Sequence, residues 1–309
     1  MKSRERRIFV SITANLKEFY REKLFHPAPL LIALLFMGAK VWGNVSYGGS
    51  FVTGLRSGVM GLIMYVFALG VITILSKPSG EAEVAKIEPA KLRGALISVG
   101  ACYVLTLLRI IDNLQRGSYL LGTPLLNIVP GYAKLYTFLT TVPGGYRVSN
   151  ILWGLPLYII LPWVLLHALG IQRDSLLRSS KNIRPAIPFL LLYATAFVAT
   201  GLNLERLWFL VYAFLYAGVQ EEFFFRGVMQ PLLIARFRNS IWGIIISALI
   251  FALLHIPDFV FRVYPSVPLA LSSVASVALF GILMGYGVHR TGLVWPWMII
   301  HALSNVLGW

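Results

Sequence analysis

The 309-residue chain is short of charge, and of acidic residues above all. Only 13% of its residues are charged, against about 25% in ordinary soluble domains. Asp and Glu number 12 and Lys and Arg number 27, while 58% of the residues are hydrophobic. A soluble protein of this composition could not cover its surface with polar groups. Lipid solvates apolar side chains directly, so the composition indicates an integral membrane protein.

Cysteine is almost absent as well. The chain has one, Cys102, which excludes an intrachain disulfide framework and a cysteine-rich zinc module. Cys102 lies within an apolar run, and we interpret it as a small buried hydrophobic residue.

The apolar residues are concentrated in segments that reach or approach the roughly 20 residues that a helix needs to cross a bilayer. They predict an all-α, polytopic membrane protein with about eight or nine transmembrane helices. The predicted segments are 30–47, 57–76, 94–111, 151–171, 186–202, 207–234, 241–256, 267–288 and 293–309. A further apolar stretch, 120–148, is interrupted by prolines and glycines and is interpreted as interfacial or re-entrant.

The basic residues fall in short blocks between these segments. Residues 1–26 are interpreted as a cytosolic amphipathic lead-in, and 27–309 as a single membrane domain. With a cytosolic N-terminus, the inside loops hold 18 Lys and Arg residues and the outside loops hold 6. This bias favours that orientation, with the basic blocks facing anionic lipid headgroups. Nucleic acid is not an expected partner.

Charged side chains within an apolar segment are informative, because each costs at least roughly 2.5–3.5 kcal/mol near the helix centre. Arg109 lies near a membrane end and is interpreted as snorkelling to the headgroups. Segment 207–234 instead carries Glu221, Glu222 and Arg226 in its middle.

The two adjacent glutamates cannot serve the same purpose. Successive helical residues point about 100° apart, whereas Glu222 and Arg226 are four residues apart and can pair on one face. Glu221 is then the carboxylate without a partner in its own helix. Its apolar surroundings suit it to general base or acid catalysis.

Two later segments contain histidines with a residue of interest one turn away. Phe251 and His255 are four residues apart, as are His301 and Asn305, so each pair shares a helix face. An imidazole and a carboxamide on one face can donate two hydrogen bonds to one oxygen, as an oxyanion site requires. Phe251 is interpreted as packing against the ring of His255.

Three motifs together resemble the CPBP family, also called the Abi or CAAX-protease family. They are EEFFFR at 221–226, FALLH at 251–255 and HALSN at 301–305, and all lie within residues 207–309. The resemblance implies an intramembrane endopeptidase with a catalytic cavity open toward the cytosol. Its substrate would be a peptide or membrane protein, lipidated in the case of CAAX-type processing.

The same resemblance implies roles for individual residues. Glu221 would activate water, His255 would hold the water or polarise the scissile carbonyl, and His301 and Asn305 would stabilise the oxyanion. The supporting residues would be Glu222, Arg226 and Phe251.

No cofactor is certain from the sequence. An H-E-x-x-H helix is absent, which excludes a zincin. Glu221, His255 and His301 could still supply one oxygen and two nitrogens to a catalytic zinc or another divalent metal. A metalloprotease and a glutamate protease therefore both stay open, and we favour glutamate-activated water without an obligatory metal.

Two other functions are compatible with these residues. Intramembrane Glu, His and Arg side chains can form the relay of an ion-coupled transporter. Many carriers are built from repeats, and a second set of intramembrane polar residues would then lie in the N-terminal half of the chain. This sequence shows no such second set. The other alternative is a catalytically silent scaffold or immunity-type membrane protein. Membrane lipids are expected partners in every case, and the oligomeric state is left undetermined.

Overall fold

The structure is a computed structural model that describes residues 13, 17, 19, 24–76, 87–118, 145–171 and 182–308, without the side chains of 112–118 and 145–146. Every regular element in these ranges is a helix, so the predicted all-α class is confirmed. The predicted lead-in at 1–26 and the interrupted stretch 120–148 lie almost wholly outside the described residues.

The helices of the first two hundred residues begin where the sequence offers prolines and capping side chains. Pro27 opens the first helix, and the His26 side chain accepts a hydrogen bond from the Ala28 N–H. Ser50 caps the second helix in the same way. The helices are α1 (Pro27–Ser46), α2 (Phe51–Leu75), α3 (Pro89–Ser118), α4 (Gly145–Leu155), a π-helical turn (Pro156–Ile160), α5 (Leu161–Ala168) and α6 (Ile187–Ala199).

The remaining helices contain the three motifs. Asn203 caps α7 by accepting a hydrogen bond from the Arg206 N–H, and Gly292 and Gly308 end the last two helices in the left-handed conformation. The elements are α7 (Leu204–Ala213), two π-helical segments (Phe214–Glu221 and Phe223–Met229), α8 (Gln230–Phe237), α9 (Ser240–Leu253), α10 (Ile256–Asp258), a π-helical turn (Phe259–Val263), α11 (Val267–Thr291) and α12 (Trp295–Leu307).

All nine predicted segments fall on helices, but the predicted number of spans is not confirmed. Among the described residues, six helices are long and apolar enough to cross a membrane. They are Pro27–Ser46, Phe51–Leu75, Pro89–Ile111, Arg147–Ala168, Ser240–Val263 and Val267–Thr291. Arg184–Ala199 is a shorter apolar helix, and α12 has only 13 residues, about 20 Å at 1.5 Å per residue. The helix at 204–237 contains the motif charges.

The chain divides into two compact units. The first unit comprises Met1–Lys86, Leu176–Ile187 and Gln230–Leu293. In it α1 packs on α2 and α11, and α9 packs on α11. Its core includes Ile32, Phe36, Ile245 and Leu279.

The second unit comprises Ile87–Ser175, Pro188–Met229 and Val294–Trp309. It contains Glu221, Glu222, Arg226, His301 and Asn305. Within it, α12 packs against α7 and against the π-helical segment Phe214–Glu221. Gly218 permits this packing, because a Cβ there would lie 2.5 Å from the carbonyl oxygen of Met298.

Large apolar side chains are exposed along the helices. Leu34 is 70% exposed, Phe67 72% and Leu191 62%. Exposed apolar side chains in such number are typical of helices that contact lipid. Together with the six apolar helices, it identifies an integral membrane protein. Cys102 is fully buried, as predicted.

Candidate active site

The helix that contains both glutamates is π-helical through most of the motif. The segments Phe214–Glu221 and Phe223–Met229 lie on either side of Glu222. π-Helical turns are rare in proteins as a whole. Those that do occur are frequently found at functional sites. Neither segment could be predicted from the residue pattern.

The predicted ion pair between Glu222 and Arg226 is present and fully buried. Arg226 Nη1 lies 3.2 Å from Glu222 Oε1, and the two side chains are 1% and 0% exposed. Burial of a charge is costly unless it is paired, and here each charge is the other's counter-ion. The pair therefore has an evident structural role.

His301 contacts both glutamates. Its Nδ1 lies 2.8 Å from Glu222 Oε1, and its Nε2 lies 3.9 Å from Glu221 Oε2. The first distance is that of a hydrogen bond. The second is too long for one, at a separation that a water molecule can bridge. All three side chains are buried, with Glu221 at 6% exposed and His301 at 3%.

The contact with Glu222 determines where His301 carries its proton. A carboxylate accepts hydrogen bonds, so Nδ1 is the donor. In the neutral imidazole, Nε2 then presents a lone pair toward Glu221. When Nε2 is also protonated, the resulting imidazolium is stabilised by Glu222 and can donate a hydrogen bond.

Asn305 lies one turn beyond His301 on α12 and is half-buried. Helix α12 begins at Trp295, with Pro296 in its first turn, and the Ser304 hydroxyl donates to the His301 carbonyl at 2.8 Å. The fully buried Trp297 packs its ring against Phe189 at 5.8 Å. These contacts hold α12 in place in the second unit.

His255 lies in the first unit, just beyond the end of α9. Its ring is 4.8 Å from that of Phe251, edge to face, and Phe251 is 1% exposed. His255 Nδ1 lies 3.0 Å from the Phe251 carbonyl oxygen, which can only accept. Nδ1 therefore carries a proton, and Nε2 is the ring nitrogen left for other chemistry. The half-buried His255 ring also lies 5.7 Å from that of Phe259.

Glu221, His255 and His301 are also the predicted donors for a metal ion. Across the part of the chain that the structure describes, no group of three or more His, Cys, Asp or Glu side chains could hold a metal ion. Metal dependence therefore stays a prediction.

Sequence reasoning missed a second polar cluster in the second unit. Arg109 is 3% exposed, so its interpretation as a snorkelling side chain is wrong. Its guanidinium donates to the Tyr216 hydroxyl at 3.1 Å and to the Asn150 carbonyl at 3.5 Å. The sequence showed Arg109 as a charge within an apolar segment, but its position near the predicted membrane end favoured the snorkelling interpretation.

Comparisons with known proteins found one family. Neither the curated proteins nor the solved structures gave a match. Residues 203–307 match the family model described as type II CAAX prenyl endopeptidase Rce1-like. This range covers about a third of the chain and includes all three motifs. The predicted resemblance is therefore confirmed over this segment, which is similar to the CAAX-protease-like family.

Proposed function

We propose that the protein is an intramembrane endopeptidase of the CAAX type in which Glu221 activates water. The observation that carries the proposal is the buried contact of His301 with both glutamates, inside the segment that matches the family. A carboxylate and an imidazole close together are groups that can serve as the general base and acid of peptide hydrolysis.

The first step is attack on the scissile carbonyl. Glu221 takes a proton from water, and the hydroxide oxygen forms a bond to the carbonyl carbon. The carbonyl π electrons move to oxygen, which gives a tetrahedral oxyanion.

The oxyanion needs hydrogen-bond donors in position before it forms. The Asn305 amide can donate as it stands. His301 can donate through Nε2 only as the imidazolium, since Nδ1 donates to Glu222. Glu222 fixes the orientation of the His301 ring through Nδ1, so Glu222 acts on the reaction through His301 and is a positioning residue.

Collapse of the oxyanion breaks the C–N bond. Glu221 returns the proton to the leaving nitrogen, which leaves a carboxylic acid on one product and an amine on the other. His255 would hold the water or polarise the carbonyl through Nε2. The substrate would be a protein or peptide whose C-terminal CAAX cysteine is prenylated.

The test uses the purified full-length chain in proteoliposomes and a farnesylated peptide that ends three residues after the modified cysteine. Mass spectrometry follows release of the tripeptide. Glu221→Gln should lower kcat by roughly 10²–10⁴-fold, as for loss of a general base, with unfolding unchanged. Activity should persist after treatment with a strong chelator.

Glu205→Gln is the matched control, because Glu205 is an exposed glutamate in the first turn of the same helix. It should cleave like the wild type. If Glu221→Gln cleaves as fast as Glu205→Gln, Glu221 is not the base. Loss of activity on chelation, restored by zinc, would replace the metal-free mechanism with a metalloprotease one.

A further inference from the structure

Gln220 directly precedes Glu221 and is not used by the mechanism above. It lies in the π-helical segment Phe214–Glu221 of the motif helix (204–237) and is 0% exposed. We propose that Gln220 is a positioning residue, which fixes the rotation of this segment so that Glu221 faces His301. The inference rests on the proposed function and names a residue that acts through its general base.

The Gln220 side chain binds the neighbouring helix α4. Its Nε2 donates a hydrogen bond to the Ile151 carbonyl oxygen at 3.0 Å. Gly154, which is buried and lies three residues after Ile151, faces the same side-chain amide. A Cβ at Gly154 would overlap Gln220 Oε1, so glycine at this position leaves the space that the amide occupies. Both contacts therefore hold the amide of Gln220 against the surface of α4.

Glu221 has its contact on a different helix. The segment Phe214–Glu221 packs against α4 and also against α12, where His301 Nε2 lies 3.9 Å from Glu221 Oε2. Adjacent residues point about 100° apart in a regular α-helix, so they can face two different neighbours. A rotation of the segment that moved Gln220 away from α4 would also move Glu221 relative to α12. The hydrogen bond to Ile151 therefore sets the direction in which the Glu221 carboxylate points.

The Gln220 amide adds little to stability on balance. Its Oε1 is buried and has no hydrogen-bond partner among the residues that the structure describes. An unsatisfied buried acceptor costs at least as much free energy as a typical hydrogen bond gains. Replacement of the amide by an apolar side chain of similar size should therefore leave stability nearly unchanged. A loss of cleavage in such a variant would come from the geometry of the site.

The experiment compares Gln220→Leu with the wild type on the farnesylated peptide, using the full-length chain in proteoliposomes. Gln220→Leu should lower kcat roughly 10- to 100-fold with KM unchanged, since a misplacement of about 1 Å can cost about 100-fold in rate. Its unfolding temperature should stay close to that of the wild type. Gly154→Ala, which displaces the amide without removing it, should also lower kcat.

A double variant separates positioning from a general loss of structure. Gln220 acts on the reaction only through Glu221, so effects of the two substitutions should not add. Gln220→Leu combined with Glu221→Gln should cleave no more slowly than Glu221→Gln alone. Losses that multiply in the double variant would show that Gln220 acts independently of Glu221 and would overturn the inference.

Gln230→Leu is the matched control. Gln230 is a second buried glutamine of the motif helix, and its Nε2 donates to a helix carbonyl, that of Gly285, at 2.9 Å. Its replacement should leave kcat unchanged. A Gln220→Leu variant that cleaves as fast as Gln230→Leu, or that raises KM with kcat unchanged, would overturn the inference while the proposed function stands. Absence of cleavage by the wild type would overturn both.

Discussion

His301 is the residue on which the site depends most. It is the side chain that contacts both glutamates, and the two contacts use different ring nitrogens. The residue types alone suggested that His301 donates to an oxyanion. The contact with Glu222 adds a condition, since donation through Nε2 requires the imidazolium. Glu222 thus has two partners, Arg226 and His301, on the same oxygen.

The buried pair predicts a difference between single and double substitutions. Arg226→Met leaves Glu222 without its guanidinium and should destabilise the protein by about 3–5 kcal/mol, as for other broken buried pairs. Arg226→Met combined with Glu222→Gln leaves no uncompensated charge and should recover part of that loss. Thermal unfolding of the purified protein, followed by intrinsic fluorescence, measures both.

Peptide cleavage should stay low in the double variant, because Glu222→Gln removes the carboxylate that accepts the hydrogen bond from His301 Nδ1. Arg236, a basic residue at the exposed end of the same helix, supplies the control substitution Arg236→Met, which should change neither property. Equal unfolding temperatures for the single and double variants would show that the two charges are not coupled.

At the scale of elements, the contact between α12 and the motif helix decides whether the site forms. Glu221 and Glu222 lie in one element and His301 in the other, so their distances depend on how closely the two backbones approach. Gly218 is three residues before Glu221, and the Met298 carbonyl that faces it is three residues before His301. A methyl group at Gly218 would meet backbone atoms, which cannot rotate away.

Gly218→Ala should therefore separate the two helices and lower both stability and cleavage. Alanine normally favours a helix over glycine by up to about 1 kcal/mol, so a loss would have to come from the steric contact. Gly100→Ala is the matched control, because Gly100 is an exposed helical glycine with nothing within 4 Å of its Cβ position. It should unfold at the same temperature as the wild type or higher. A Gly218→Ala variant as active and stable as Gly100→Ala would contradict the close packing.

At the scale of the whole molecule, the orientation in the membrane is still a prediction. The excess of Lys and Arg in alternate loops favours a cytosolic N-terminus. The loop before α3 would then be cytosolic, and the loop before α7 would be outside. Glu88 lies in the first of these loops and Glu205 in the first turn of α7, and both are exposed.

Single cysteines introduced as Glu88→Cys and Glu205→Cys should distinguish the two sides. The background is Cys102→Ala, which removes the only native thiol. A membrane-impermeant maleimide added to intact cells should label Glu205→Cys directly and Glu88→Cys only after permeabilisation. The reverse labelling would establish the opposite orientation.

Much of the fold could be predicted because the bilayer imposes it. Backbone polar groups in lipid must be satisfied within the chain, so every long apolar segment, such as 57–76 or 267–288, had to be helical. The number of membrane-spanning helices was harder to predict than the helical class. The helix at 204–237 combines apolar and charged residues, and α12 is short, so length and hydropathy do not settle whether either crosses the bilayer.

The candidate site also has features that follow from the sequence and features that follow only from the tertiary structure. By itself the sequence determined the helical class, the membrane environment, and the separation of Glu221 from the Glu222–Arg226 pair, because all of these follow from periodicity within one segment. Only the tertiary structure decided that His301 contacts both glutamates and that Arg109 is buried beside Tyr216. Residues 79 and 107 positions apart are brought together by helix packing, which no pattern within a single helix encodes.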